Sequence, residues 1–305
     1  MTLSDKLSRL HQHLTQCVLG SDRPATLVLV ALLAKGHALI EGPPGIGKTS
    51  LAQALAGGMG GDFKRLQFTP DLLPSDILGY HLYRQHSGEF DFIEGPIFTN
   101  LLLADEINRT SPRVQSALLE AMNEGQVTID GSTRRLAEPF MVVATQNELS
   151  AAGTFPLPEA QLDRFLLSIP MEAPSREVQQ RILLEHAGGR PSELDSEEIL
   201  SAEDVLALQK KTLAIGVSDA ISEYIINLCE YVRKEAGGQH TVSVRASISL
   251  LRSAQARAVI EGDSHVLPDH VKDVFVNVMK HRVEPEDASD VEFILEQALS
   301  QTPVP

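Results

Sequence analysis

A glycine-rich run that ends in a lysine and a threonine has the residue types and spacing of a phosphate-binding loop. The pattern G-x-x-x-x-G-K-[ST] is matched in full between a predicted strand and a predicted helix. With the residue that follows the pattern, the segment is Gly42, Pro43, Pro44, Gly45, Ile46, Gly47, Lys48, Thr49 and Ser50. Glycines let backbone N–H groups turn towards phosphate oxygens, and a helix start adds positive partial charge. We expect Lys48 to contact the β- and γ-phosphates and the Thr49 hydroxyl to hold Mg²⁺.

Two adjacent carboxylates at the end of an apolar run are the next candidates. Residues 101–104 are Leu-Leu-Leu-Ala, typical of a buried strand, and Asp105 and Glu106 follow directly. We expect Asp105 to bind Mg²⁺ through its water shell and Glu106 to accept a proton from an attacking water. An acidic helix cap after a strand has the same residues, but the phosphate loop earlier in the chain favours the catalytic interpretation.

An amide and an arginine lie near the ends of later apolar runs. Asn147 follows the strand predicted over residues 140–146, so it could position the attacking water beside Glu106. The alternative is an ordinary turn residue. Arg164 precedes a short apolar run, residues 166–169, and an arginine from a neighbouring subunit can stabilise charge on a transferring phosphoryl group. The alternative for Arg164 is an ion pair with Asp163.

Three other arginines are rivals or complements. Arg245 begins a predicted helix after Ser243, from which it could reach back over a bound nucleotide. The alternative for Arg245 is a solvated helix surface. Arg109 and Arg113 follow the acidic pair and are alternative candidates for the contact with a neighbouring subunit.

The elements that must position these residues form two regions. Strands over residues 37–41, 63–68, 101–105 and 140–146 alternate with helices, which predicts an α/β fold with a parallel sheet covered on both faces. Residues 126–136 and 80–93 predict two inserted hairpins, the first around Asp130-Gly131. The segment 170–174 is a predicted linker, and beyond it the pattern is helical throughout. We therefore expect an α/β domain over residues 1–172 and a helical domain over residues 173–305.

Composition narrows the possible partners and compartments. The chain has 305 residues and a formal net charge of −15, which argues against nucleic acid as a partner because such binding requires cations that neutralise phosphates. Only Cys17 and Cys229 are present, so a disulfide framework and a cysteine zinc site are not expected, and the sequence fits a reducing compartment. No apolar run approaches the ~20 residues of a membrane span. We expect a cytoplasmic protein.

The order of the motifs resembles the MoxR family of AAA+ ATPases over essentially the whole chain. The phosphate loop is generic, whereas Phe-Thr-Pro-Asp-Leu-Leu-Pro-Ser-Asp at residues 68–76 and Leu-Pro-Glu-Ala-Gln-Leu-Asp-Arg-Phe at residues 157–165 are specific. Other matching segments are residues 41–49, 101–109, 115–122 and 144–147. Two departures are Glu148 and Val244, where the family commonly has proline.

This resemblance implies an αβα ATPase core with a helical lid, ATP and Mg²⁺ as ligands, and rings of about six subunits. It implies that Asn147 is sensor 1, Arg164 the arginine finger and Arg245 sensor 2. It also implies chaperone-like remodelling of protein clients, with a von Willebrand factor A domain protein as a partner.

Three hypotheses about function follow. The first is an ATP-hydrolysing remodelling machine whose sites lie between subunits. The second is a nucleotide-gated scaffold with little turnover, which has no need of a water-activating carboxylate. The third is a DNA-acting motor or a magnesium-chelatase-like subunit, and the acidic balance disfavours its DNA-acting form.

Overall fold

The computed structural model describes residues 1–146, 154–187, 198–236, 242–284 and 290–305. The strands are β1 (Ala38–Glu41), β2 (Phe63–Gln67), β3 (Gly79–Arg84), β4 (Glu89–Glu94), β5 (Leu101–Asp105), β6 (Gln126–Ile129), β7 (Ser132–Arg135), β8 (Met141–Gln146) and β9 (Leu167–Pro170). The helices are α1 (Leu3–Cys17), α2 (Asp22–Leu33), α3 (Lys48–Gly58), α4 (Pro74–Leu78), α5 (Pro112–Glu124), α6 (Glu159–Leu162), α7 (Arg176–Ala187), α8 (Ala202–Leu213), α9 (Asp219–Glu235), α10 (Val244–Glu261), α11 (Pro268–Met279) and α12 (Val291–Gln301).

A parallel sheet of five strands, in the order β2-β5-β8-β1-β9, forms the centre of the first region. The predicted α/β architecture is confirmed, and the structure adds β9 to the four predicted strands. This strand is a run of only four residues ending in Pro170, too short for its periodicity to distinguish it from a linker. Its pairing with β1 places it at the sheet edge, where a proline is tolerated.

Side chains of the central strands alternate between two hydrophobic clusters. Ala38 and Ile40 of β1 belong to the cluster that includes α1, α2 and α3, whereas Leu39 belongs to the cluster that includes α5. The same alternation holds along β5 and β8, as the two-residue period of a strand requires. Helices therefore cover both faces of the sheet, and nearly every side chain of these strands is apolar.

Both predicted hairpins are present. Strands β3 and β4 pair antiparallel from Gly79↔Glu94 to Arg84↔Glu89, and β6 and β7 pair around Asp130-Gly131. Asp130 and Gly131 have φ angles of 48° and 77°, as a tight hairpin turn requires.

The C-terminal part is helical, as predicted. Helices α8 and α10 pack against α2, and their apolar residues join the cluster that covers the α1–α3 face of the sheet. Within the described ranges, no helix combines the length and apolar character needed to cross a membrane.

Candidate functional site

The phosphate loop connects the end of β1 to the start of α3, and Lys48, Thr49 and Ser50 form the first turn of that helix. Gly42 has φ +145°, and a Cβ there would lie 2.2 Å from the carbonyl oxygen of Met171. Gly47 caps the helix with φ +100°. These two positions require glycine because a side chain would be strained at both and would also collide at Gly42.

The Lys48 ammonium lies inside the loop. Lys48 is buried, and Nζ donates to the carbonyl oxygens of Gly42, of Pro43 (3.3 Å) and of Gln146 at the end of β8 (3.2 Å). Carbonyl oxygens of two elements therefore hold the cation at the start of α3, where positive partial charge is already present. This arrangement suits an anionic ligand.

Asp105 is brought to the phosphate loop by the pairing of β5 with β8 and of β8 with β1. The Thr49 hydroxyl donates to Asp105 Oδ2 at 3.3 Å, and the Thr145 hydroxyl donates to Oδ1 at 2.6 Å. A hydroxyl and a carboxylate oxygen are the hard ligands that Mg²⁺ prefers. Thr49 and Asp105 therefore fit a magnesium ion.

Sequence reasoning missed the cation beside Asp105. Arg65 on β2 donates to Asp105 Oδ2 through Nη2 at 2.7 Å and through Nε at 3.2 Å. Two residues further along β2, Gln67 Nε2 donates to Glu106 Oε2 at 2.8 Å. One face of β2 thus supplies a partner to each carboxylate. The signal in the sequence was the i, i+2 spacing of two polar residues in a strand predicted to lie in the same sheet.

Glu106 has an unusual backbone conformation for a residue other than glycine, with φ 57° and ψ 51°. Its N–H donates to the Thr145 hydroxyl at 2.9 Å, and its Oε2 also accepts from Arg109 at 2.9 Å. A left-handed residue costs of order 1–2 kcal/mol and is retained where its surroundings require it. This backbone turn holds the carboxylate next to Gln67 and leaves it partly exposed.

The other predicted site residues are not gathered here in the same way. Asn147 lies outside the described residues. Arg164 Nη1 donates to the carbonyl oxygen of Leu119 on α5 at 2.7 Å. Arg109 is paired with Glu106 of its own chain, and Arg113 is exposed at the start of α5.

Arg245 contacts a carboxylate next to Arg164. Its Nη1 lies 3.2 Å from Asp163 Oδ2, and its side chain is 56% exposed. Asp163 also pairs with Arg282, whose side chain is 2% exposed and whose Nε lies 2.9 Å from Oδ1. Arg164 therefore lacks the ion pair with Asp163 that was its alternative, because two other arginines occupy that carboxylate.

Comparisons with known proteins agree with this geometry. Residues 37–167 match the family described as ATPase family associated with various cellular activities (AAA), and residues 232–300 match the AAA lid domain. Chaperone MoxR1 of Mycobacterium tuberculosis is 42% identical, over 87% of this chain and 72% of its own length. Protein MoxR of Methylorubrum extorquens is 32% identical, over 92% of this chain and 88% of its own.

Two further relatives cover nearly the whole chain. The uncharacterized protein YeaC of Bacillus subtilis is 44% identical, over 98% of this chain and 95% of its own. A crystal structure of a candidate ATPase from Cytophaga hutchinsonii superposes with a TM-score of 0.89 at 35% identity, covering 99% of this chain and 96% of that one. The phosphate loop, the acidic pair, the sheet order and these relatives lead to one conclusion: the chain belongs to the MoxR family of AAA+ ATPases.

Proposed function

We propose that this chain hydrolyses ATP in the presence of Mg²⁺. The observation that carries the proposal is the contact between Thr49 of the phosphate loop and Asp105 of the acidic pair, with Glu106 adjacent. Magnesium held by Thr49 and Asp105 would neutralise charge on the β- and γ-phosphates. A water oxygen attacks the γ-phosphorus and its proton passes to Glu106. The bond from the γ-phosphorus to the bridging oxygen breaks, releasing ADP and phosphate.

The proposal includes a ring, of about six subunits, in which each site is completed by its neighbour. Arg164 acts on the nucleotide of the next subunit, Asn147 positions the attacking water and Arg245 contacts the nucleotide of its own subunit. What supports the assignment of Arg164 is its place beside α5, where its guanidinium is held by the Leu119 carbonyl rather than by the acidic pair of its own chain. An arginine that stabilises the transferring phosphoryl group is worth 10³–10⁵ in rate in comparable nucleotidases.

The work that this hydrolysis drives is, we propose, remodelling of protein clients in the cytoplasm, with a von Willebrand factor A domain protein as partner. The support is family membership and the chaperone name that the Mycobacterium tuberculosis relative carries. We also propose residues 1–172 as the ATPase core and residues 173–305 as the lid. The last sheet strand ends at Pro170, and the two family matches lie on either side of that boundary.

Mixing two inactive variants tests the shared site. Glu106→Gln chains lack the base but supply Arg164, whereas Arg164→Ala chains have an intact base. An equal mixture should regain steady-state phosphate release, because about one quarter of interfaces then pair an intact base with an intact arginine.

The matched control mixes Glu106→Gln with Lys48→Ala, which places both defects in the same chain's half of the site. That mixture should stay inactive. Equal inactivity of both mixtures would refute the shared site. Release by Glu106→Gln at the wild-type rate would refute hydrolysis through Glu106 itself.

A further inference from the structure

A cleft of about 770 Å³ lies at the edge of the sheet opposite the phosphate loop. Its walls come from three parts of the chain: the end of α2, the segment from the end of α5 through the β6–β7 hairpin, and α8 with Arg252 of α10. His37 and Phe140, which precede β1 and β8, lie among the lining residues. The cleft is therefore built by the sheet region and the C-terminal helices together, at the amino ends of the strands.

Part of the cleft surface is apolar. Leu33, Met122 and Leu136 are buried, and Phe140 is partly buried. Leu213 lies at the end of α8 with 56% of its surface exposed. An exposed leucine beside buried apolar side chains offers a place for one large apolar side chain of a ligand.

The charged lining is basic although the whole chain is acidic. Four cations contribute to it, against the carboxylates of Glu124 and Glu138. Lys35 is paired with Glu138 at 3.1 Å. The other three are Arg135, Lys210 and Arg252, and none of them forms an ion pair within the described part of the chain. In a protein with a net charge of −15, a cleft with three cations that lack carboxylate partners is a local exception.

Helix ends explain one of these three cations. Helices α2, α5 and α8 all end at the cleft, at Leu33, Glu124 and Leu213, and Lys210 in the last turn of α8 is a usual partner for a helix C-terminus. Arg135 ends a strand and Arg252 lies in the middle of α10, so the helix dipole accounts for neither.

The same helix ends select among anions. Three carbonyl ends carry negative partial charge, which repels a compact anion such as phosphate that has no N–H groups to offer. A peptide supplies backbone N–H donors towards these ends and carries its carboxylates at separate points along the chain, where they can reach separate cations.

We propose that this cleft binds an acidic segment of a partner protein, with one large apolar side chain seated at Leu213 and flanking carboxylates on Arg135, Lys210 and Arg252. The site is separate from the phosphate loop, so the proposal does not depend on ATP hydrolysis. Since sheet region and C-terminal helices both line the cleft, a bound segment contacts both.

A fluorescein-labelled peptide, Asp-Glu-Leu-Phe-Glu-Asp, titrated with the full chain and followed by fluorescence anisotropy, tests the proposal. We expect saturable binding at ~0.15 M salt that weakens as salt is raised, because the contacts are between partly exposed charges. The double variant Lys210→Glu with Arg135→Glu should bind about tenfold more weakly. The neutral peptide Asn-Gln-Leu-Phe-Gln-Asn should bind at least fivefold more weakly than the acidic one.

The matched control carries the same change in net charge outside the cleft, as Lys211→Glu with Lys234→Glu. Lys211 neighbours Lys210 on α8 but does not line the cleft. Thermal unfolding by circular dichroism verifies that both variants are folded. Absence of saturable binding, equal weakening in the two double variants, or displacement of the peptide by ~10 mM phosphate at constant ionic strength would each overturn the proposal.

Discussion

At the scale of single residues, the acidic pair depends on side chains from the neighbouring strand. Arg65 and Gln67 reach Asp105 and Glu106 because β2 pairs with β5 so that Gln67 lies opposite Asp105. Charge-assisted hydrogen bonds of this kind are stronger than neutral ones and orient the carboxylates. Site geometry in this protein is therefore a property of two strands, only one of which carries the recognisable motif.

A buried histidine at the start of β1 makes stability depend on pH. His37 Nδ1 accepts the Val142 N–H at 2.9 Å, and Nε2 donates to the carbonyl oxygen of Met122 at 3.1 Å, so the ring is neutral. Burial lowers the pKa of His37 from 6.5 to about 4. Below pH 6.5 the unfolded chain takes up a proton that the folded chain does not, so stability falls as the pH drops towards 4. The loss reaches about 3 kcal/mol at most.

Urea unfolding of the wild type and of His37→Asn at pH 7, 6 and 5 measures this effect. The variant should be less stable at pH 7 because it loses hydrogen bonds, but its stability should fall less steeply with pH. Some slope should remain, because burial beside Arg282 also lowers the pKa of His281. His86→Asn, at an exposed hairpin position, should keep the wild-type slope. A slope in His37→Asn equal to the wild-type slope would contradict the prediction.

At the scale of elements, close backbone contacts fix the inserted β3–β4 hairpin to the core. A Cβ on Gly95 would lie 2.1 Å from the carbonyl oxygen of Ile77 and 2.6 Å from the N of Gly79. Both atoms belong to the backbone, so no side-chain rotation can relieve the collision. The base of the hairpin is therefore a close backbone junction with α4, whereas its tip is open.

We expect Gly95→Ala to lower the free energy of unfolding by about 1–3 kcal/mol, the usual cost of overpacking, and to make the hairpin more sensitive to proteolysis. Gly88→Asn is the matched control, since Gly88 at the tip has φ +72° and a Cβ there would meet no atom within 4 Å. Asparagine tolerates that conformation, so the control should cost less than about 1 kcal/mol. Equal costs in urea unfolding would show that the junction is not close-packed.

At the scale of the whole molecule, one buried arginine links the sheet region to the C-terminal helices. Arg282 donates to the carbonyl oxygens of Phe165 and Leu166, at 2.5 Å and 3.0 Å, and pairs with Asp163. Burial lowers the pKa of Arg282, and hydrogen bonding to Asp163 opposes that shift. The same carboxylate holds the exposed Arg245, so both arginines of the C-terminal part meet the residue next to Arg164.

Replacing each arginine by methionine distinguishes the two contacts. Arg282→Met should cost about 3–5 kcal/mol, because it removes a buried partner of a charged group. It should also separate urea unfolding into two transitions as the two regions lose their joint. Arg245→Met removes one exposed ion pair and should cost less than about 1 kcal/mol. A cost below about 1 kcal/mol for Arg282→Met would show that apolar packing alone holds the two regions together.

Features built from consecutive residues could be predicted from the sequence. The phosphate loop, the strand that ends in Asp105 and Glu106, and the hairpin at Asp130-Gly131 each follow from local backbone preferences or from the period of burial. The sequence by itself therefore determined the α/β core, the inserted hairpins, the helical C-terminal part and the residues expected to meet a nucleotide.

Only the tertiary structure decided how distant residues meet. Strand order brought Arg65 to Asp105, edge pairing made a strand of Leu167–Pro170, and folding across 119 positions brought Arg282 to Asp163. The basic cleft, likewise, combines residues from Leu33 to Arg252. The physical reason is that a motif encodes the preferences of neighbouring residues, whereas these contacts depend on how whole elements pack, to which many residues each contribute a little.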